Sequence, residues 1–234
     1  MKTTAELFRE DGYLKACEAV VTGVTEQGVT VDQTVFYPLG GGQPGDSGRM
    51  TRADGSVVTV VDCFKSEGQH LHVLGADQIP PAVGETVQLE IDWERRHRLM
   101  RMHSCMHMLC VAIPAPVTGG SIRDGSGRLD FDLPEPPDKL EVEATLNRLI
   151  EEGHSMSLQW ITDEEIETNS ELVRTMSVTP PMGTGRVRLV KFGEADLQPC
   201  GGTHVASTSE IGPVKVVSIK KKGKQNRRVT VEFA

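Results

Sequence analysis

From Trp93 to Ile113 the chain runs WERRHRLMRMHSCMHMLCVAI without a glycine or proline, in a sequence of 234 residues that otherwise carries 24 Gly and 13 Pro. Leu99, Met102, Met106 and Cys110 recur at the intervals of one face of an amphipathic helix, and Pro114 ends it. This one helix divides the chain into two dissimilar halves. Before it, from about Leu14 to Asp92, runs such as AVVTGVTEQGVTV, SVVTVVDCF and HLHVLG are rich in Val and Thr and are broken by Gly23, Gly28, Gly55, Gly68, Gly75 and Gly84. Short strands punctuated in this way predict a small antiparallel barrel or sandwich.

Beyond the helix the pattern mixes both periods. GRLDFDL, MSLQWI, GRVRLVKF, GPVKVVSI and RRVTVEF read as strands, and DKLEVEATLNRLIEEG as a second helix with an apolar stripe of Leu140, Ala144, Leu146 and Ile150, closed by Gly153. Thr162 followed by Glu165 forms a capping box ahead of DEEIETN. The expected fold is α+β: an N-terminal small antiparallel β-barrel domain over residues 1–93, then an α+β domain over 94–234 with helices packed on an antiparallel sheet.

At 38% hydrophobic and 25% charged residues the chain belongs with globular proteins, which excludes wholesale disorder. No apolar run approaches ~18 residues, so no membrane span is expected. Glu6, Glu10 and Asp11 interrupt an N-terminus that does not read as a signal peptide, and a cytoplasmic location is expected. The five cysteines lack the short regular spacing of a disulfide framework and read as reduced thiols.

His103 and His107 lie four residues apart on the long helix, so their imidazoles project from one face a single turn apart. Cys200-Gly-Gly-Thr-His204 repeats that spacing on a glycine turn. Either pair alone is commonly just packing. Together they make a set of one thiolate and three imidazoles, which suits Zn²⁺ and suits oxygen-seeking Ca²⁺ or Mg²⁺ poorly. Four protein ligands would also close a purely structural zinc shell, and the spacing leaves that alternative open. His70, His72, His97 and His154 lack a second ligand at useful spacing and read as surface or solvated groups; Cys105 and Cys110 read as packing residues.

FYPLGGGQPGDSG, from Phe36 to Gly48, is the densest glycine cluster. No Gly-Lys-Ser/Thr follows it and no helix opens after it, so it is neither a P-loop nor a dinucleotide fingerprint. It fits an Ω-type loop, or equally a backbone surface that approaches a ligand closely, with Gln43 and Asp46 available for hydrogen bonds.

FYPLGGGQPGDSG, HSCMH and CGGTHV, in that order and at these separations, resemble the editing domain of alanyl-tRNA synthetase and its free-standing relatives, the AlaX alanyl-tRNA editing proteins. The resemblance extends over nearly the whole chain and is nearest to the medium-length type that carries the glycine motif. It implies a zinc-dependent hydrolase that removes the wrong amino acid from tRNA(Ala), chiefly serine and also glycine. It implies His103, His107, Cys200 and His204 as zinc ligands, and Ser104, at the place of a family threonine, as a catalytic residue. Thr34, just before the glycine motif, is implied as a reader of the seryl hydroxyl, with Gln43 as a further catalytic-site residue. Met106 is bulkier than the residue usual at its place, and either alters the pocket or packs behind the helix.

The net charge of −8 counsels against a nucleic-acid partner until it is resolved along the chain. No acid occurs between Ile211 and Val231, where Lys215, Lys220, Lys221, Lys222, Lys224, Arg227 and Arg228 fall, and Arg95, Arg96, Arg98 and Arg101 precede the histidine pair. Such runs are ordinarily solvated faces; beside a tRNA-ester site they are expected to hold phosphates. The competing readings are a non-catalytic tRNA- or synthetase-binding module with a structural zinc, and a zinc hydrolase of small esters.

Overall fold

The structure, a computed structural model, describes residues 3–168 and 185–234. The elements in chain order are β1 (Ala5–Glu6), β2 (Ala16–Thr25), β3 (Gly28–Val31), β4 (Gln33–Thr34), β5 (Gly48–Arg52), β6 (Val57–Ser66), β7 (Gln69–Leu74), β8 (Thr86–Ile91) and α1 (Trp93–Ala112). They continue with β9 (Val117–Arg123), β10 (Ser126–Asp132), α2 (Lys139–Glu151), β11 (Met156–Thr162), α3 (Asp163–Thr168), β12 (Arg186–Phe192), β13 (Asp196–Pro199), β14 (Val214–Gly223) and β15 (Asn226–Phe233). The fold is α+β. Two compact units, 1–97 and 98–234, meet in sequence inside α1. Among the described residues no helix is long and apolar enough to cross a membrane.

The first unit is a closed antiparallel barrel in the order β2-β3-β7-β6-β5-β8. Alternation along its strands turns Ala19, Val21, Val29, Val31, Met50, Val87, Leu89 and Ile91 into one core. Strand β6 begins the same way, with Val58 and Val60 inside, but its pairing with β7 shifts register between Val60 and Asp62. This bulge shifts the facing of the strand, and Cys63 enters the core where strict alternation would have put Asp62. Cys63 then pairs directly with His72.

The glycine segment lies against this bulge. A Cβ on Gly45 would stand 2.1 Å from the Cys63 carbonyl oxygen, and one on Gly48 equally close to that of Glu90, so both glycines are required by close backbone approach. Asp46 is consumed structurally: its carboxylate accepts the Tyr37 N–H at 2.6 Å and the Arg96 Nε–H at 2.9 Å. The Arg96 guanidinium also donates to the carbonyls of Gly12 (3.0 Å) and Val35 (2.7 Å).

His70 and His72 overturn the surface reading, since both are buried with their rings stacked 5.1 Å apart. Burial, with His70 beside it, pushes His72 down to about 3, so this imidazole is neutral. Burial and the nearby Asp46 and Asp62 carboxylates push the Cys63 thiol well up.

In the second unit, one sheet has the order β14-β15-β10-β9 and another the order β11-β12-β13. The expected capping box at Thr162 is present, the Glu165 carboxylate accepting the Thr162 N–H at 2.7 Å and the Thr162 hydroxyl accepting the Glu165 N–H at 3.1 Å; Asn169, included in that expected helix, lies outside the described residues. Helix α2 forms where expected with Asp138 as its cap, but its buried face is Val142, Leu146, Leu149 and Ile150. Leu140, placed in the stripe by periodicity, is 75% exposed because it sits in the first turn, beyond the edge of the packed face.

Candidate metal centre

Helix α1 presents His103 and His107 one turn apart, ring centroids 5.6 Å from each other. The loop after β13 brings His204 to 4.4 Å from His103 and 4.5 Å from His107, centroid to centroid. Cys200 Sγ lies 3.2 Å from His204 Nε2 and 3.5 Å from His103 Nε2. One ligand atom from each of the four side chains falls within 4.8 Å of the others. Phe192 stands edge-on to His107 and His204 and closes the apolar side of the group.

The outer nitrogens are held as metal-ligating histidines require. His107 Nδ1 is 2.8 Å from the buried Asp196 carboxylate, and His204 Nδ1 is 3.2 Å from Ser104 Oγ. A proton on each Nδ1 leaves the Nε2 lone pair for an ion. Ser104 also accepts the Val205 N–H at 3.2 Å, so one buried hydroxyl fixes both the ring of His204 and the chain after it. Arg188, buried beneath the loop, donates to the Gly202 carbonyl at 2.8 Å, and the Gly202 N–H donates to Cys200 Sγ at 3.4 Å.

Electrostatics favour the ligating forms of Cys200 and His204. Burial opposes ionisation of Cys200, yet the neighbouring His103 and His204 outweigh it and hold the thiol well below its usual value. Burial and the charge of His103 push His204 well down, toward the neutral ring. At His107 burial again works against charge, but hydrogen bonds with Asp196 and Cys200 prevail and raise it to about 9, so without an ion this ring carries protons on both nitrogens, and an ion would displace the one on Nε2 while the one on Nδ1 stays facing Asp196. A thiolate and imidazoles, two of them held through their outer nitrogens, fit Zn²⁺.

Sequence patterns alone do not single out Asp196, Gln198 or Arg188, although Asp196 and Gln198 lie just upstream of CGGTH. Gln198 Nε2 is 2.9 Å from the same Asp196 oxygen. Met106 is buried and packs against β10, where a Cβ added at Gly127 would stand 3.0 Å from its methyl group. Cys105 and Cys110 are buried, and burial pushes the Cys105 thiol up to about 12, an inert packing group.

The remaining expected residues are distributed as follows. Thr34 is wholly buried in the first unit; its Oγ1 is 2.8 Å from His72 Nε2 and accepts the Phe36 N–H at 3.1 Å. Gln43 is buried, its backbone paired with Gly40. Lys220, Lys221, Lys222 and Lys224 are exposed along the β14–β15 hairpin.

The arginines are engaged instead. Arg95 donates to the Gly45 carbonyl at 2.7 Å and Arg98 pairs with Asp124 at 2.6 Å. Arg101 donates to the Ile211 carbonyl and covers the Phe233 ring at 4.1 Å, while Arg228 pairs with Asp130 at 2.7 Å. Two phosphate expectations are corrected: Arg96 has no exposed surface, and Arg227 is 5% exposed with its guanidinium on the Pro134, Gly223 and Asn226 carbonyls. Both are interior hydrogen-bond donors.

An alanyl-tRNA editing protein AlaX-M from Methanosarcina mazei is 36% identical over 97% of this chain and 95% of its own length. The chain belongs to the AlaX-M family of alanyl-tRNA editing proteins. A second member, from Saccharolobus solfataricus, is 31% identical over 97% of both chains. An alanine–tRNA ligase from Pyrobaculum arsenaticum is 34% identical over 93% of this chain, which spans 25% of that longer protein. Residues 187–230 match the threonyl and alanyl tRNA synthetase second additional domain, and residues 4–95 match class II (A) tRNA synthetases. The first match contains Cys200, His204, Asp196 and Arg188.

Proposed function

We propose that this chain is a zinc-dependent deacylase that hydrolyses the ester between a wrong amino acid, chiefly serine and also glycine, and tRNA(Ala). The convergence of His103, His107, Cys200 and His204, with Asp196 and Ser104 behind two of the rings, carries this reading. Membership in a family named for alanyl-tRNA editing supplies the substrate class.

The four side chains would hold the ion, which when bound supplies polarisation of the ester carbonyl or activation of water. In hydrolysis a water oxygen bonds to the carbonyl carbon, the bond to the ribose oxygen breaks, and a proton passes to that oxygen. Asp196 keeps the His107 ring in one tautomer, and Ser104 is a positioning residue that fixes His204 through Nδ1. Cys200 stays a thiolate because imidazoles and the Gly202 N–H face it.

Serine differs from alanine by one hydroxyl, and a site that hydrogen-bonds that group can reject alanine by about 10⁴–10⁵-fold. Thr34 and Gln43 are the residues proposed to furnish that bond. The exposed lysines of the β14–β15 hairpin are proposed to hold phosphates of the tRNA, with Arg95, Arg98, Arg101 and Arg228 contributing charge beside their protein partners.

The test incubates the protein with tRNA(Ala) charged with serine, glycine or alanine and follows ester loss, beside a His103→Ala/His107→Ala variant. Fast loss of the seryl ester, abolished in the variant, is expected. Loss at the buffer rate by the wild type would refute the proposal. Thr34→Val and Gln43→Ala, compared on seryl against alanyl esters, test the selectivity assignment.

A further inference from the structure

The barrel interior holds a second group of metal-ligating side chains, none of them a ligand of the first. Cys63, His70 and His72 are all buried, and one ligand atom from each lies within 4.8 Å of the other two. Cys63 Sγ is 2.9 Å from His70 Nε2. The β6 bulge aims the thiol inward, and the β6–β7 register sets it opposite His72 on the face that His70 also shares.

We propose that Cys63, His70 and His72 form a second zinc site inside the barrel. Each imidazole has its outer nitrogen occupied. His70 Nδ1 is 3.2 Å from the Glu6 carboxylate, and His72 Nδ1 is 3.1 Å from the Val29 carbonyl. Because a carboxylate and a carbonyl only accept, both Nδ1 atoms carry the proton and each Nε2 is an acceptor, toward the Cys63 S–H at His70 and the Thr34 O–H at His72, and an ion would replace those two bonds. The pattern repeats the logic of the His107–Asp196 pair on a different scaffold.

Thr34 Oγ1, 2.8 Å from His72 Nε2, supplies an oxygen beside the group. One thiolate with two imidazoles is a borderline-soft donor set that selects zinc over calcium or magnesium. Uptake replaces the Cys63 S–H bond by an S–Zn bond and releases that proton to water. The interior position makes this ion one acquired as the barrel folds.

The experiment measures metal per chain by mass spectrometry on protein purified without chelator. A His103→Ala/His107→Ala/Cys200→Ala/His204→Ala variant and a Cys63→Ser variant are measured beside it, each checked for folding by circular dichroism. About two zinc ions are expected in the wild type and about one in each variant. About one in the wild type, with no change in Cys63→Ser, would mean a purely hydrogen-bonded cluster and would overturn the proposal. Should the quadruple variant fold poorly, Cys63→Ser decides alone, because it leaves the other ligand set intact. Growth on cobalt gives an independent readout. The quadruple variant should show thiolate-to-cobalt charge-transfer absorption that adding Cys63→Ser to it removes, and a folded quadruple variant without that band overturns the site.

Discussion

His107 Nδ1 and Asp196 Oδ2 stand 2.8 Å apart in a buried pair that joins α1 to strand β13. The pairing fixes which nitrogen of His107 keeps its proton and so which one is left to ligate. Replacing Asp196 by Asn keeps the shape and removes the charge. On the zinc reading it should weaken metal affinity by about 10–100-fold, read by competition against a chromophoric chelator. An unchanged affinity would reduce Asp196 to a packing group.

Arg96 and Asp46 make the corresponding test of the first unit. With the guanidinium fully buried, Arg96→Ala leaves a buried carboxylate without its cation and should cost about 3–5 kcal/mol in urea unfolding of the barrel. The salt dependence of tRNA binding should not change. A large drop in stability with an unaltered salt slope separates a structural arginine from one that holds a phosphate.

Lys220, Lys221, Lys222 and Lys224 should behave in the opposite way. Changing them together to Ala should leave the unfolding midpoint nearly intact, raise KM for charged tRNA with little change in kcat, and reduce the slope of log affinity against log salt. The slope should fall by about 0.7–0.9 for each phosphate that is no longer neutralised. Titrations at several salt concentrations measure this directly.

Asp130 links the β10–β15 pair to acid sensitivity. The hydrogen bond and charge of Arg228, helped by Arg128, hold its carboxyl below the ordinary 3.8. A folded-state value below the unfolded one means that Asp130 stabilises the fold fully above the unfolded value. That contribution disappears as the pH falls through the lower, folded one. Asp130→Asn should therefore lower stability near neutral pH and flatten its decline below about pH 4. Denaturant midpoints across that range check the sign.

Local signals make the long helix and the four-ligand set legible. Absence of Gly and Pro from Trp93 to Ile113 is enough to write α1, and two pairs at one-turn spacing are enough to suggest a shared ion. What escapes a sequence reading depends on pairing between distant segments. Strand β9 contains Gly119 and Gly120 and acquires its order from β10. Asp196 reaches His107 only because β13 pairs with β12. A bulge between Val60 and Asp62 cannot be read from alternation, and with Cys63 assigned to the wrong face nothing marks His70 and His72 as interior. Charge misleads in the same sense, since Arg96 and Arg227 are indistinguishable in sequence from their exposed neighbours until the interior acceptors are known.

Helix α1 begins on Asp92, whose carboxylate accepts the Arg95 N–H at 3.1 Å, and the division between the compact units falls after His97. The residue that anchors Asp46 and the two histidines of the metal group are thus threaded on a single run of helical hydrogen bonds. A fragment severed at the division would leave the downstream piece with an uncapped, fraying helix just ahead of His103. Any transplant of the downstream unit into another protein has to bring the first turn of that helix and its aspartate with it.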